Sequence, residues 1–101
     1  MEVFLSGLAE LKLDKLCLYL LEEWNLKIRN EFLLNLNKKI EQISNHPESC
    51  PQSKEFMGLY KCLVTKQTSF FYRIKWDANK IEIITIFDNR QNPKKLKKSL
   101  R

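Results

Sequence analysis

The sequence predicts an α+β fold in two layers, with a helical hairpin packed on one face of a small antiparallel sheet in the order β-α-α-β-β-β. Three observations point there: two consecutive segments with apolar residues at helical spacing, three later segments rich in β-branched and aromatic residues, and a short apolar stretch ahead of both. At 101 residues the chain suits one hydrophobic core and one domain, 1–101, ending in a basic tail at about 94–101. A composition of 44% hydrophobic and 30% charged residues, with two glycines and three prolines, is that of an ordered globular chain rather than a linker.

The opening "MEVFL" is a strand candidate, and Ser6 stands where a helix N-cap belongs. Ala9, Leu13, Leu16, Leu20 and Trp24 then recur at spacings of three and four, which predicts a helix over about 7–24. Leu11, Cys17, Leu18, Tyr19 and Leu21 widen its apolar stripe beyond one face, so this helix is either deeply buried or offers a second apolar surface to a partner. Asn25 can end one helix and cap the next. Ile28, Phe32, Leu36, Ile40 and Ile43 carry the second helix, which stops by "SNHP" and folds back antiparallel on the first. After the loop "NHPESCPQS", residues 58–64, 69–76 and 80–87 read as three strands joined by "TKQT" and "DANK", an antiparallel meander to which the first strand is added. Within 69–76, Phe70, Tyr72, Ile74 and Trp76 should face the helices, opposite Phe71, Arg73 and Lys75.

No apolar run approaches the roughly 20 residues of a membrane span. Glu2 stands where a secretory leader would carry positive charge. A cytoplasmic protein is therefore expected, with Cys17, Cys50 and Cys62 reduced, since no CxxC pair marks zinc or a redox centre. The lone histidine, His46, has no triad partner in sight, two glycines build no phosphate loop, and no metal or cofactor is expected. The charge is uneven. Residues 1–53 hold six Lys/Arg against eight Asp/Glu, whereas residues 54–101 hold twelve against four, so the net +6 resides in the second half and favours an anionic partner. Lys54, Lys61, Lys66, Arg73, Lys75 and Arg90 lie on or beside the sheet. Lys54, Lys75 and the lysines at 94–98 read as solvated charge. Arg90 differs, because it sits in a turn between a strand and Pro93 and can make forked contacts with phosphate or carboxylate.

The chain resembles the RelE/ParE superfamily of bacterial toxins from type II toxin–antitoxin modules, and is closer to the ParE side. The resemblance runs from "VFLSGLAELKLDKLCLYLLEEWN" through "LNKKIEQISNHP" and "GLYKCLV" to "SFFYRIKW" and "IEIITIFDNRQNP". "YLLEEW" is similar to the tyrosine, acid and tryptophan ending the family's first helix, "FFYRI" to its signature strand, and "FDNRQNP" occupies the place of its closing turn. RelE-like members cut mRNA on the ribosome with several basic residues and often a C-terminal tyrosine; ParE-like members poison DNA gyrase. Of the RelE set this chain keeps Lys61 and Arg90, the only catalytic candidates, while Leu63, Ser69 and Leu96 stand where a basic residue, an arginine and the tyrosine belong. Two cations supply charge stabilisation but neither the base nor the acid of RNA cleavage.

The resemblance thus implies a toxin that binds a protein target such as gyrase and is neutralised by a cognate antitoxin. The alternatives are a reduced ribosome-dependent endoribonuclease acting on mRNA, or a degenerate toxin that only binds antitoxin. Target contacts fall to Lys61, Lys66, Arg73 and Arg90, and antitoxin contacts to Leu18, Leu21 and Trp24. Arg90→Ala is expected to weaken function by about 1.5–3 kcal/mol with folding intact.

Overall fold

The computed structural model describes residues 1–90; Pro93, Leu96 and the basic tail lie outside the described residues. Strand β1 (Glu2–Leu5) leads into helices α1 (Gly7–Glu23) and α2 (Leu26–Asn45), followed by β2 (Tyr60–Leu63), β3 (Thr68–Lys75) and β4 (Lys80–Asp88). Both helix starts are set by the side chains the sequence marks. Ser6 accepts from Ala9 N at 3.0 Å and Asn25 Oδ1 from Ile28 N at 2.9 Å, each relieving one of the unpaired first-turn amides.

The four strands lie in the order β1-β4-β3-β2. The meander β2-β3-β4 is antiparallel as expected, but β1 pairs with β4 in parallel, so the sheet is mixed. The expected all-antiparallel sheet is corrected at this edge. The physical reason lies in the connection: β1 leaves the sheet through two helices rather than a tight turn, and nothing local compels it to run against its neighbour.

The core lies between the helices and one sheet face. Ala9, Leu16 and Leu20 of α1 and Phe32, Leu36 and Ile43 of α2 meet Phe70 and Tyr72 of β3 and Ile81, Ile83 and Ile86 of β4. This follows the predicted faces, with one exception. Trp76 lies beyond the strand in a single 3-10 turn (Trp76–Ala78) and is exposed, because the β3–β4 connection begins one residue earlier than "DANK" suggests.

Strand β4 carries an irregularity that decides which face its last residues occupy. Phe71 pairs with Thr85 but Tyr72 with Ile83, leaving Ile84 as an extra residue, a bulge. Before it, Ile81 and Ile83 point to the helices; after it, Ile86 and Asp88 do. The carbonyl the bulge frees from the ladder is satisfied by Ser6, whose hydroxyl donates to Ile84 O at 2.7 Å while its amide donates to Ile83 O at 3.0 Å.

Candidate functional site

The helix-free face of the sheet gathers charge around aromatic rings. Lys61 lies directly across from Phe71, so the two share a face, and Arg73 and Lys75 follow at the period of two. Phe71 is fully buried although it points away from the helices, because Phe56 of the long loop closes over it edge-on at 5.3 Å. Lys61 Nζ stands 5.7 Å from the Phe71 ring centre and 3.9 Å from Glu55, and Lys75 Nζ stands 5.4 Å from that of Phe4. Glu82 receives Arg73 at 2.8 Å and Lys75 at 3.4 Å. The Arg73 hydrogen bond, opposed by burial and helped by Lys75, holds the Glu82 carboxyl below the usual range.

Arg90 is placed differently. Asp88, swung to the helix side by the bulge, takes a forked contact from the Arg90 guanidinium, one arm at 2.8 Å. It also accepts the Arg90 backbone N–H at 2.9 Å and the Thr68 hydroxyl at 2.6 Å. Burial opposes ionisation of Asp88, but the guanidinium, the hydroxyl and the backbone N–H together outweigh it and keep the carboxyl below its ordinary value; Arg90 is correspondingly held charged. Two of the five guanidinium N–H groups are thereby used. The same side chain lines a cleft of about 310 Å³ with Trp24, Ile28, Glu31 and Asn35 of the helical layer and Thr65 and Gln67 of the β2–β3 turn. That turn is tied to the end of β4 by Asn89, which donates to Gln67 O at 2.7 Å and Lys66 O at 3.4 Å.

The predicted target set is therefore divided. Arg90 and the Lys66 turn meet at one end of the sheet beside the helices, while Lys61 and Arg73 share the opposite face with Lys75, a residue expected only as solvated charge. From Thr68, where Asp88 pairs, to Arg73 is roughly 17 Å along β3, at about 3.3 Å per residue. Sequence reasoning missed Asp88 and Glu82, the carboxylates that hold the arginines, and Thr68, whose hydroxyl donates to Asp88. The signal was the acid two residues before Arg90, which marks a forked pair only if both side chains reach the same face. The Asp88 contacts also give Arg90 a folding task, in addition to any contact it makes outside the chain.

The predicted partner surface on α1 is exposed. Leu18 is 55% and Trp24 56% accessible, with Leu11 and Leu21 beside them and Leu26 and Leu34 on α2. The over-wide stripe is not buried all round: Leu16 and Leu20 fill the core, and Leu11 and Leu18 lie on the outer side. Trp24 is the C-cap rather than a core residue, and it walls the Arg90 cleft.

A helical hairpin on a four-stranded mixed sheet is an architecture shared with ParE/RelE-like toxin structures. Solved structures with this fold include the chromosomal ParDE toxin–antitoxin system from P. aeruginosa, with a TM-score of 0.70 at 14% identity over 87% of this chain and 95% of that one. Another is a YoeB/ParE toxin from Agrobacterium tumefaciens, with a TM-score of 0.64 at 13% identity over 87% of this chain and 98% of that one. No curated protein matches the sequence. The model of the family described as "ParE toxin of type II toxin-antitoxin system, parDE" matches residues 3–93, and the chain belongs to that family of type II toxins.

Proposed function

We propose that this ParE-family toxin acts by binding a protein target such as DNA gyrase, and that a co-encoded antitoxin neutralises it by covering the outer face of α1. The observation that carries the target reading is the state of the sheet cations. Lys61, Arg73 and Lys75 each stand beside a surface carboxylate, Glu55 or Glu82. Such groups exchange one carboxylate for another at a protein interface, whereas cleavage of a phosphodiester needs a base and an acid as well as cations. His46 caps the end of α2, away from this face, and supplies neither.

The antitoxin reading rests on Leu11, Leu18, Leu21 and Trp24, a stripe suited to the apolar side of an amphipathic segment whose acidic residues meet the basic half of the toxin. The purified toxin should inhibit gyrase supercoiling and leave mRNA whole in a translating extract; codon-specific cuts with gyrase untouched would overturn the target reading. For the antitoxin, Leu18→Lys should weaken binding by about 2 kcal/mol, measured by titration calorimetry, and leave the melting curve unchanged.

A further inference from the structure

Cys50 and Cys62, twelve positions apart in the chain, meet in the fold. Gln52 bridges to Tyr60 in antiparallel register, Ser53 N donates to Leu59 O at 2.7 Å and Lys61 N to Pro51 O at 2.9 Å. Those bonds make 53/59 and 51/61 the hydrogen-bonded pairs. Cys50, in the bend just past this bridge, is thereby brought to the edge of β2 that carries Cys62. Opposed Cα atoms at a non-hydrogen-bonded antiparallel position lie about 4.5 Å apart, within the range a disulfide spans. Both thiols are free, and both line a cleft of about 370 Å³ shared with Lys39, Gln42, Ser49 and Lys61.

We propose that Cys50 and Cys62 form a redox-active dithiol, oxidised to an intrachain disulfide by small anionic disulfides of the glutathione type that enter this cleft. The two lysines give the cleft the charge to attract such a reagent. Accessibility assigns the roles: Cys50 is 7% exposed and Cys62 1%, so an entering reagent meets Cys50 first. Turned from Leu63 O toward Cys50, the Cys62 thiol lowers the Cys50 pKa against the opposing effect of burial, with Ser49 and Lys39 assisting. Tyr72 can assist only by giving up its 2.6 Å bond to Pro47 O, since its hydroxyl has one proton. Cys62 is held protonated by the same hydrogen bond and by burial.

The Cys50 thiolate therefore attacks one sulfur of the reagent; its S–S bond breaks and one thiolate leaves. With Cys50 capped, Cys62 no longer faces a thiolate and can lose its proton. It attacks Cys50 Sγ and expels the second thiolate. Two protein thiols are oxidised by two electrons, and one small disulfide is reduced to two thiols. The new bond fastens the segment carrying Glu55 and Phe56 to β2, beside Lys61.

The test incubates the folded, reduced full-length chain with glutathione disulfide, then denatures, alkylates and maps it by mass spectrometry. The expected product has lost two hydrogens, contains a 50–62 link, retains one alkylatable thiol at Cys17, and reverts with dithiothreitol. The link should form at least about tenfold faster than any adduct at Cys17, whose thiol burial pushes up. In Cys62→Ser the reaction should stop as a glutathione adduct on Cys50, and in Cys50→Ser position 62 should stay unmodified. Three alkylatable thiols after treatment, links through Cys17, or interchain dimers as the main product would overturn the proposal. The wild-type map decides even if a variant fails to fold.

Discussion

Asp88 and Glu82 both lie on β4 and both hold an arginine, yet they occupy opposite faces of the sheet. Asp88 is 1% exposed and its Arg90 23%, whereas Glu82 is 16% exposed and its Arg73 53%. Asp88 is also bonded by Thr68 and by a backbone amide, so removing either partner strands a buried charge. Glu82 shares two mobile cations at the surface, and losing one leaves the other in water. The same ionic chemistry is thus committed to folding at one end of the strand and available for exchange on the other face. A partner's carboxylate can displace Glu82 at little cost; it cannot displace Asp88.

The sharpest way to break this contrast is to remove the buried acid. Asp88→Ala should lower unfolding free energy by about 3 kcal/mol in urea titrations, because Arg90 and Thr68 both lose their acceptor. Arg90→Ala should cost less, about 2 kcal/mol, since Asp88 keeps Thr68 and can neutralise by taking a proton. This replaces the sequence-based expectation that folding would be intact. A wild-type melting curve for that variant, alongside lost toxicity, would show that the pair does not hold this end of the sheet.

Acid separates the two sites next. The folded Asp88 carboxyl is held below its ordinary range, so its stabilisation is present above the ordinary carboxylate pKa and disappears as pH falls through the folded one. Wild type should lose stability steeply over that window, and Asp88→Asn should show a shallower acid limb in the same titration. The smallest effect belongs to the open face: Arg73→Ala should cost below about 1 kcal/mol, and less as salt rises. If it proves as costly as Arg90→Ala, the contrast between the faces fails.

Much of the fold was legible because its determinants are local. The caps at Ser6 and Asn25, the buried faces of both helices and the three-strand meander follow from periodicity and from which side chains relieve first-turn amides. The site was legible in kind but not in arrangement. Lys61, Lys66, Arg73 and Arg90 could be named as cations beside a sheet, but their division between two regions depends on strand faces. Trp76 shows the same limit: one residue's difference in where a turn begins moves a tryptophan from an expected core position to solvent.

What the amino-acid sequence determined by itself is the inventory: two amphipathic helices, a strand before them and three after, a basic second half and an over-wide apolar stripe on α1. The tertiary structure alone decided that β1 runs parallel to β4, that Cys50 and Cys62 line one cleft, and that Asp88 turns toward the helices to receive Arg90. The last depends on the bulge at Ile84, whose released carbonyl finds its donor in Ser6, 78 residues earlier. Side-chain alternation along a strand is a short-range rule, and one extra residue reverses it. A partner that distant in the chain becomes available only when the sheet and the helix cap have met.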